Sequence, residues 1–187
     1  MTHPLAFIPN RYRKQLFFIL LALTLILFAV LRVLDQPLRT DAAPKGIVSF
    51  ELAGNSRTAR AITDSWKQMS LLLSAVEGQP NPDVVNVPYV FAAFGLGLDY
   101  LFMPVYALWL AFGTLLASGK HEGWLRSLGT VAGYAALAAM VFDAVENYAL
   151  LQVLLGNMQS PYPALAAFCA IVKFSLILLG LLYVLGA

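Results

Sequence analysis

Asp99, Asp143, Glu146 and Lys173 stand in stretches of sequence otherwise almost free of charge, with Asn147 beside them. An ion surrounded by hydrocarbon is costly, so such groups pair with one another, take up a proton, hold a cation or line a wet cavity. Asp143, Glu146 and Asn147 fall at i, i+3 and i+4 within the run DAVEN, which gathers them on one side of a helix. Tyr106 follows Asp99 by seven residues on a similar face and can donate a hydrogen bond to the group. Asp99 and Asp143 lie about ten residues from the outer ends of their apolar stretches, and Lys173 about ten from the start of its own. At 1.5 Å per residue each therefore sits roughly 15 Å deep, near the middle of a bilayer. Glu146 is one turn closer to the outside. Formally three carboxylates face one ammonium. Lys173 offsets one unit, Arg32 can reach toward Glu146 by snorkelling, and at least one carboxyl is expected to carry a proton or meet a cation.

Three chemistries fit this layer. A polar clamp would pair Lys173 with Asp99 or Asp143 and fix helix register with no reaction, since buried ion pairs can serve specificity alone. A binding site would take a proton, a cation or a small polar ligand. A membrane enzyme would use a carboxyl as general acid or base on a lipid-like substrate. Other chemistries lack their residues. His3 and His121, the only histidines, fall outside the apolar stretches, so neither bis-histidine haem nor a histidine-rich zinc site is expected within the spans. No nucleophile elbow, phosphate loop or dinucleotide fingerprint is present. The reading therefore carries no metal and no cofactor. A single cysteine, Cys169, excludes an intrachain disulfide and any CxxC motif.

The elements that position these residues are apolar helices. Only 12% of the chain is charged and mean hydropathy is +0.74, against about one quarter charged in soluble domains, so the composition indicates an integral membrane protein. Its fold class is all-α, a four-transmembrane-helix bundle in one domain, with approximate spans 15–34, 88–117, 124–155 and 163–187. Arg11, Arg13 and Lys14 precede the first span, which reads as a retained signal-anchor helix. The second is longer than a bilayer requires and contains Pro104, so it should tilt or kink. The connections 118–123 and 156–162 are short, so the last three spans should be antiparallel neighbours. Gly129 and Gly133 form a GxxxG on the face that also carries Asp143 and Asn147, which favours close packing there. Tyr89, Trp124 and Tyr162 near span ends read as interface anchors.

The polar segment 35–87 carries its own helix at 56–77. Ala59, Ile62, Trp66, Met69, Leu73 and Val76 make an apolar stripe, and Arg57, Arg60, Asp64 and Lys67 lie opposite. Asn55 or Ser56 can cap its start, and Gly78, Pro80 and Pro82 should stop it. Such an amphipathic helix lies on a membrane surface, caps the bundle or docks a partner. Residues 46–52 could be extended, and Glu51 within them reads as an exposed loop acid. Arg11, Arg13, Lys14, Lys120 and Arg126 concentrate on one side of the spans, placing both termini in the cytoplasm and 35–87 outside. The expected setting is the cell inner membrane. Partners are membrane lipids, and a homo-oligomer or larger membrane complex, since so few helices make an incomplete transporter. Nucleic acid is excluded by a net charge of only +2 with no basic tract. The expected function is non-enzymatic: the acidic–lysine cluster binds a proton, cation or small polar ligand, or stabilises a membrane assembly.

Overall fold

A computed structural model describes residues 2–76, 87–159 and 161–186, with the side chains of 69–76 outside that description. Among these residues the chain is all-helical, with helices α1 (Asn10–Leu34), α2 (Ile47–Glu51), α3 (Ser56–Val76), α4 (Val87–Ser118), α5 (Gly123–Leu154) and α6 (Tyr162–Gly186). Four helical segments, Asn10–Leu38, Val87–Ser118, Gly123–Leu154 and Tyr162–Gly186, are long and apolar enough to cross a membrane. α4 passes through Pro104 as one helix, although proline brings no backbone N–H to that position. The expected end of α3 at residue 77, and its stop at Gly78, Pro80 and Pro82, lie outside the described residues.

The chain divides into two compact units. One comprises Met1–Phe28, Tyr100–Ala144 and Ile171–Ala187. Its core is Leu110, Ala111, Phe112, Leu115 and Ala136, with Phe17, Leu20 and Ile177 packed against it. Glycine permits the closest approaches: a Cβ on Gly180 would come within 2.7 Å of Leu110, and one on Gly129 would meet the Tyr183 ring and Ser118. Tyr183 donates its hydroxyl to the Leu125 carbonyl at 3.0 Å, tying α6 to the start of α5.

The other unit comprises Ala29–Asp99 and Val145–Ala170. Trp66 is its centre, fully buried among Phe50, Ile62, Leu38, Leu96 and Leu150. The indole donates to the Leu38 carbonyl at 2.8 Å and stands edge-on to Phe50 and Tyr89 at 5.1 and 6.2 Å. Ala59, Ile62 and Trp66 of α3 are buried while Arg57, Arg60 and Lys67 are exposed, as their spacing predicts. Met69, Leu73 and Val76 belong to the side chains not described. Asn55 Oδ1 accepts the Thr58 N–H at 2.9 Å and so caps α3.

Residues 46–52 are not extended: Ile47–Glu51 is helical. The cause is a cap supplied from a distance. Asp35 Oδ1 accepts the Ile47 N–H at 2.7 Å, while Oδ2 accepts Arg39 Nε and Nη2, both at 3.2 Å. Gly46, at φ +59, closes over this carboxylate, which occupies the place of a Cβ, so no other residue fits there. Glu51 is correspondingly buried on α2 rather than exposed in a loop.

Candidate functional site

In the first unit the carboxyl of Asp143 on α5 is held from two sides. Lys173 Nζ on α6 donates to Oδ1 at 2.9 Å, and the Tyr106 hydroxyl on α4 donates to Oδ2 at 2.8 Å. All three side chains are buried, with Asp143 2% exposed and Lys173 and Tyr106 each 5%. Lys173 Nζ also lies 4.7 Å from the centre of the Phe174 ring, whose face attracts the cation. Apolar side chains enclose Tyr106, chiefly Met103, Met140 and Ile177. Two opposite charges and a phenol thus form a neutral unit in which each carboxylate oxygen has a donor. Its chemical consequence is register: three helices must bring three residues within hydrogen-bond distance at once. Of the two acids open to Lys173 by sequence, Asp143 pairs with it at 2.9 Å.

In the second unit Asn147 Nδ2 donates to Asp99 Oδ2 at 2.8 Å, and at 3.4 Å to the Leu96 carbonyl one turn before. Asn147 therefore engages Asp99. Glu146, next to it on α5, is fully buried. Among the six residues singled out by spacing, Asp143 thus bonds with Lys173 and Tyr106 and Asp99 with Asn147, while Glu146 is buried on α5. Arg32 does not reach toward Glu146. It lies 3.9 Å from Asp35, three residues on, since a guanidinium at a helix end finds the nearer carboxylate first. Among the described residues no three His, Cys, Asp or Glu side chains come together as a metal-binding group. Cys169 is buried on α6.

His3 is a buried polar residue that spacing did not reveal. Its Nδ1 accepts the Leu5 N–H at 3.2 Å, so the neutral ring carries its proton on Nε2 and donates to Thr114 Oγ1 at 3.1 Å. Thr114 passes the chain on to the Ala111 carbonyl at 2.9 Å. The ring fills the space a Cβ on Gly133 would take. Burial, assisted by the positive charge of Arg13, pushes its pKa down to about 4. The GxxxG predicted a close neighbour for Gly133. Nothing local to His3 says that the neighbour is an imidazole arriving from the N-terminal segment. No protein-family model, curated protein or solved structure matches this chain.

Proposed function

We propose that the chain is a non-enzymatic, multi-pass integral protein of the cell inner membrane, with both termini cytoplasmic and the segment between α1 and α4 outside. Its buried acidic–lysine cluster stabilises the membrane assembly, and α3 is an amphipathic helix whose buried face closes the outer segment. The single observation that carries this reading is the two-sided capture of Asp143 by Lys173 and Tyr106. A carboxylate so satisfied is suited to holding helices together rather than to attacking or protonating a substrate. The membrane setting is supported by α1, whose Phe18, Ile19, Leu25, Ile26, Phe28 and Val33 are exposed, an apolar surface that lipid would cover. Membrane lipids are the first partners, and a second copy or a larger complex would extend the same surface.

Orientation is tested with single cysteines. Lys120, which is exposed, serves as the cytoplasmic position and Arg57, also exposed, as the position in the outer segment. Arg57→Cys should react with a membrane-impermeant thiol reagent in intact cells, and Lys120→Cys only after permeabilisation. The native Cys169, being buried, adds little background. The opposite labelling would overturn the topology.

Glu146 supports a second reading, in which the same cluster binds a proton or cation, because a fully buried acid in a span together with Asp99 and Asn147 offers oxygen ligands. The melting temperature of the purified protein would then depend on sodium chloride against choline chloride, or on mildly acidic against neutral pH. Glu146→Gln should fold and lose that dependence. A wild-type protein indifferent to both would leave Glu146 with a structural role only.

A further inference from the structure

A cavity of about 310 Å³ in the first unit is lined by residues from three segments: His3 and Arg13 from the N-terminal segment and α1, Ser118 from the end of α4, and Arg126, Ser127 and Thr130 from the start of α5. Among the described residues, no acid lines it. Among the described residues no carboxylate lies within 4 Å of Arg13 or Arg126, and this includes Glu122, one turn before Arg126. Arg13 is fixed in place, with Nε donating to the Ile8 carbonyl and Nη2 to the Ala6 carbonyl, both at 2.8 Å. Two of its five N–H donors are used in this way, and three remain. His3 stays neutral beside it, so the ring walls the cavity without adding charge, and its depressed pKa reflects in part the positive potential Arg13 creates there. The hydroxyls of Ser118, Ser127 and Thr130 bond back to helix carbonyls at 3.0, 3.4 and 3.3 Å; the latter two are long, and a hydroxyl that turns its proton outward can donate to a ligand oxygen instead. Arg126 lies in the first turns of α5, where the positive helix end adds to the field.

A concave site with two guanidiniums, three hydroxyls and no acid is complementary to a tetrahedral oxyanion, because arginine binds phosphate oxygens through paired N–H donors. We propose that this cavity binds a phosphate group, carried either by the headgroup of an anionic phospholipid or by a free phosphate. The headgroup source rests on the membrane reading above; the free-phosphate source does not.

The test uses the full-length protein in neutral detergent, followed by thermal melting. Sodium phosphate is titrated against sodium chloride at matched ionic strength. In parallel, the protein in phosphatidylcholine bilayer discs is compared with discs also containing phosphatidylglycerol. Stabilisation by phosphate identifies a free anion as sufficient, and stabilisation only by phosphatidylglycerol identifies the headgroup; either supports the site. Arg126→Gln removes a side chain with no bond of its own to the fold. It should weaken the apparent affinity about tenfold or more, the equivalent of one charge-assisted contact. Arg13→Lys, which keeps the charge but loses the fork, should weaken it too. Lys120→Gln, which removes a like charge outside the cavity, should leave affinity unchanged. No stabilisation beyond chloride or phosphatidylcholine would overturn the site, and so would equal weakening by Lys120→Gln and Arg126→Gln.

Discussion

Lys173→Met should destabilise the detergent-solubilised protein by about 3–5 kcal/mol, the usual result of taking one partner from a buried ion pair. The reason is local: Asp143 would keep the Tyr106 hydroxyl at 2.8 Å but lose the Lys173 ammonium at 2.9 Å in a position 2% exposed. Lys173→Arg should recover less than full stability, because the guanidinium must fit a space that holds an ammonium 2.9 Å from Oδ1 and 4.7 Å from the Phe174 ring. Tyr106→Phe removes only one donor and should cost about 1–3 kcal/mol, the range for leaving one buried oxygen without its hydrogen bond. Denaturant titration in mixed micelles measures all three. A Lys173→Met protein as stable as the parent would mean that the pair contributes nothing to the fold.

Trp66→Ala should have a comparable effect in the other unit, about 3–5 kcal/mol, as expected for deleting a buried indole. Trp66 is 0% exposed and joins three parts of this unit: the Leu38 carbonyl after α1, Phe50 on α2 and Tyr89 at the start of α4. Trp66→Phe keeps the apolar contact but leaves the Leu38 carbonyl without its donor, and should cost about 1–3 kcal/mol. Limited proteolysis provides the local readout, since a loosened core should expose cleavage sites within residues 35–68 before the apolar helices are cut. An alanine variant that resists protease like the parent would place the stability of this segment elsewhere.

How far these features were legible from sequence follows the range of the interaction behind each. The long helices were legible because their signal, a sustained apolar run, is carried by every residue in it; observed ends fall within a residue or so of those expected, except that α1 starts at Asn10 rather than 15. The first half of α3 was legible for the same kind of reason, through the spacing of Ala59, Ile62 and Trp66. Depth along a helix brought Lys173 to the level of two acids but could not choose between them. That choice depends on how each helix is rotated, which places Tyr106 and Lys173 on Asp143 and Asn147 on Asp99. α2 was missed because five residues carry too little periodicity, and its cap, Asp35, stands twelve positions earlier. His3 was missed because it packs against Thr114, 111 residues away in the chain.

The measurement that bears most directly on the central claim is a double-mutant cycle of stability between Lys173 and Asp143, with Asp99 as the control. Lys173→Met, Asp143→Asn and the double variant form one cycle; Asp99→Asn replaces Asp143→Asn in the other. Asn at position 143 can still accept the Tyr106 hydroxyl, so the cycle isolates the ion pair. A pair that clamps the helices predicts a coupling of about 2–3 kcal/mol between Lys173 and Asp143, with the double variant regaining much of the stability that Lys173→Met loses. Coupling with Asp99, whose carboxylate accepts from Asn147 at 2.8 Å, should be smaller. Equal coupling to both acids, or none to Asp143, would contradict the clamp.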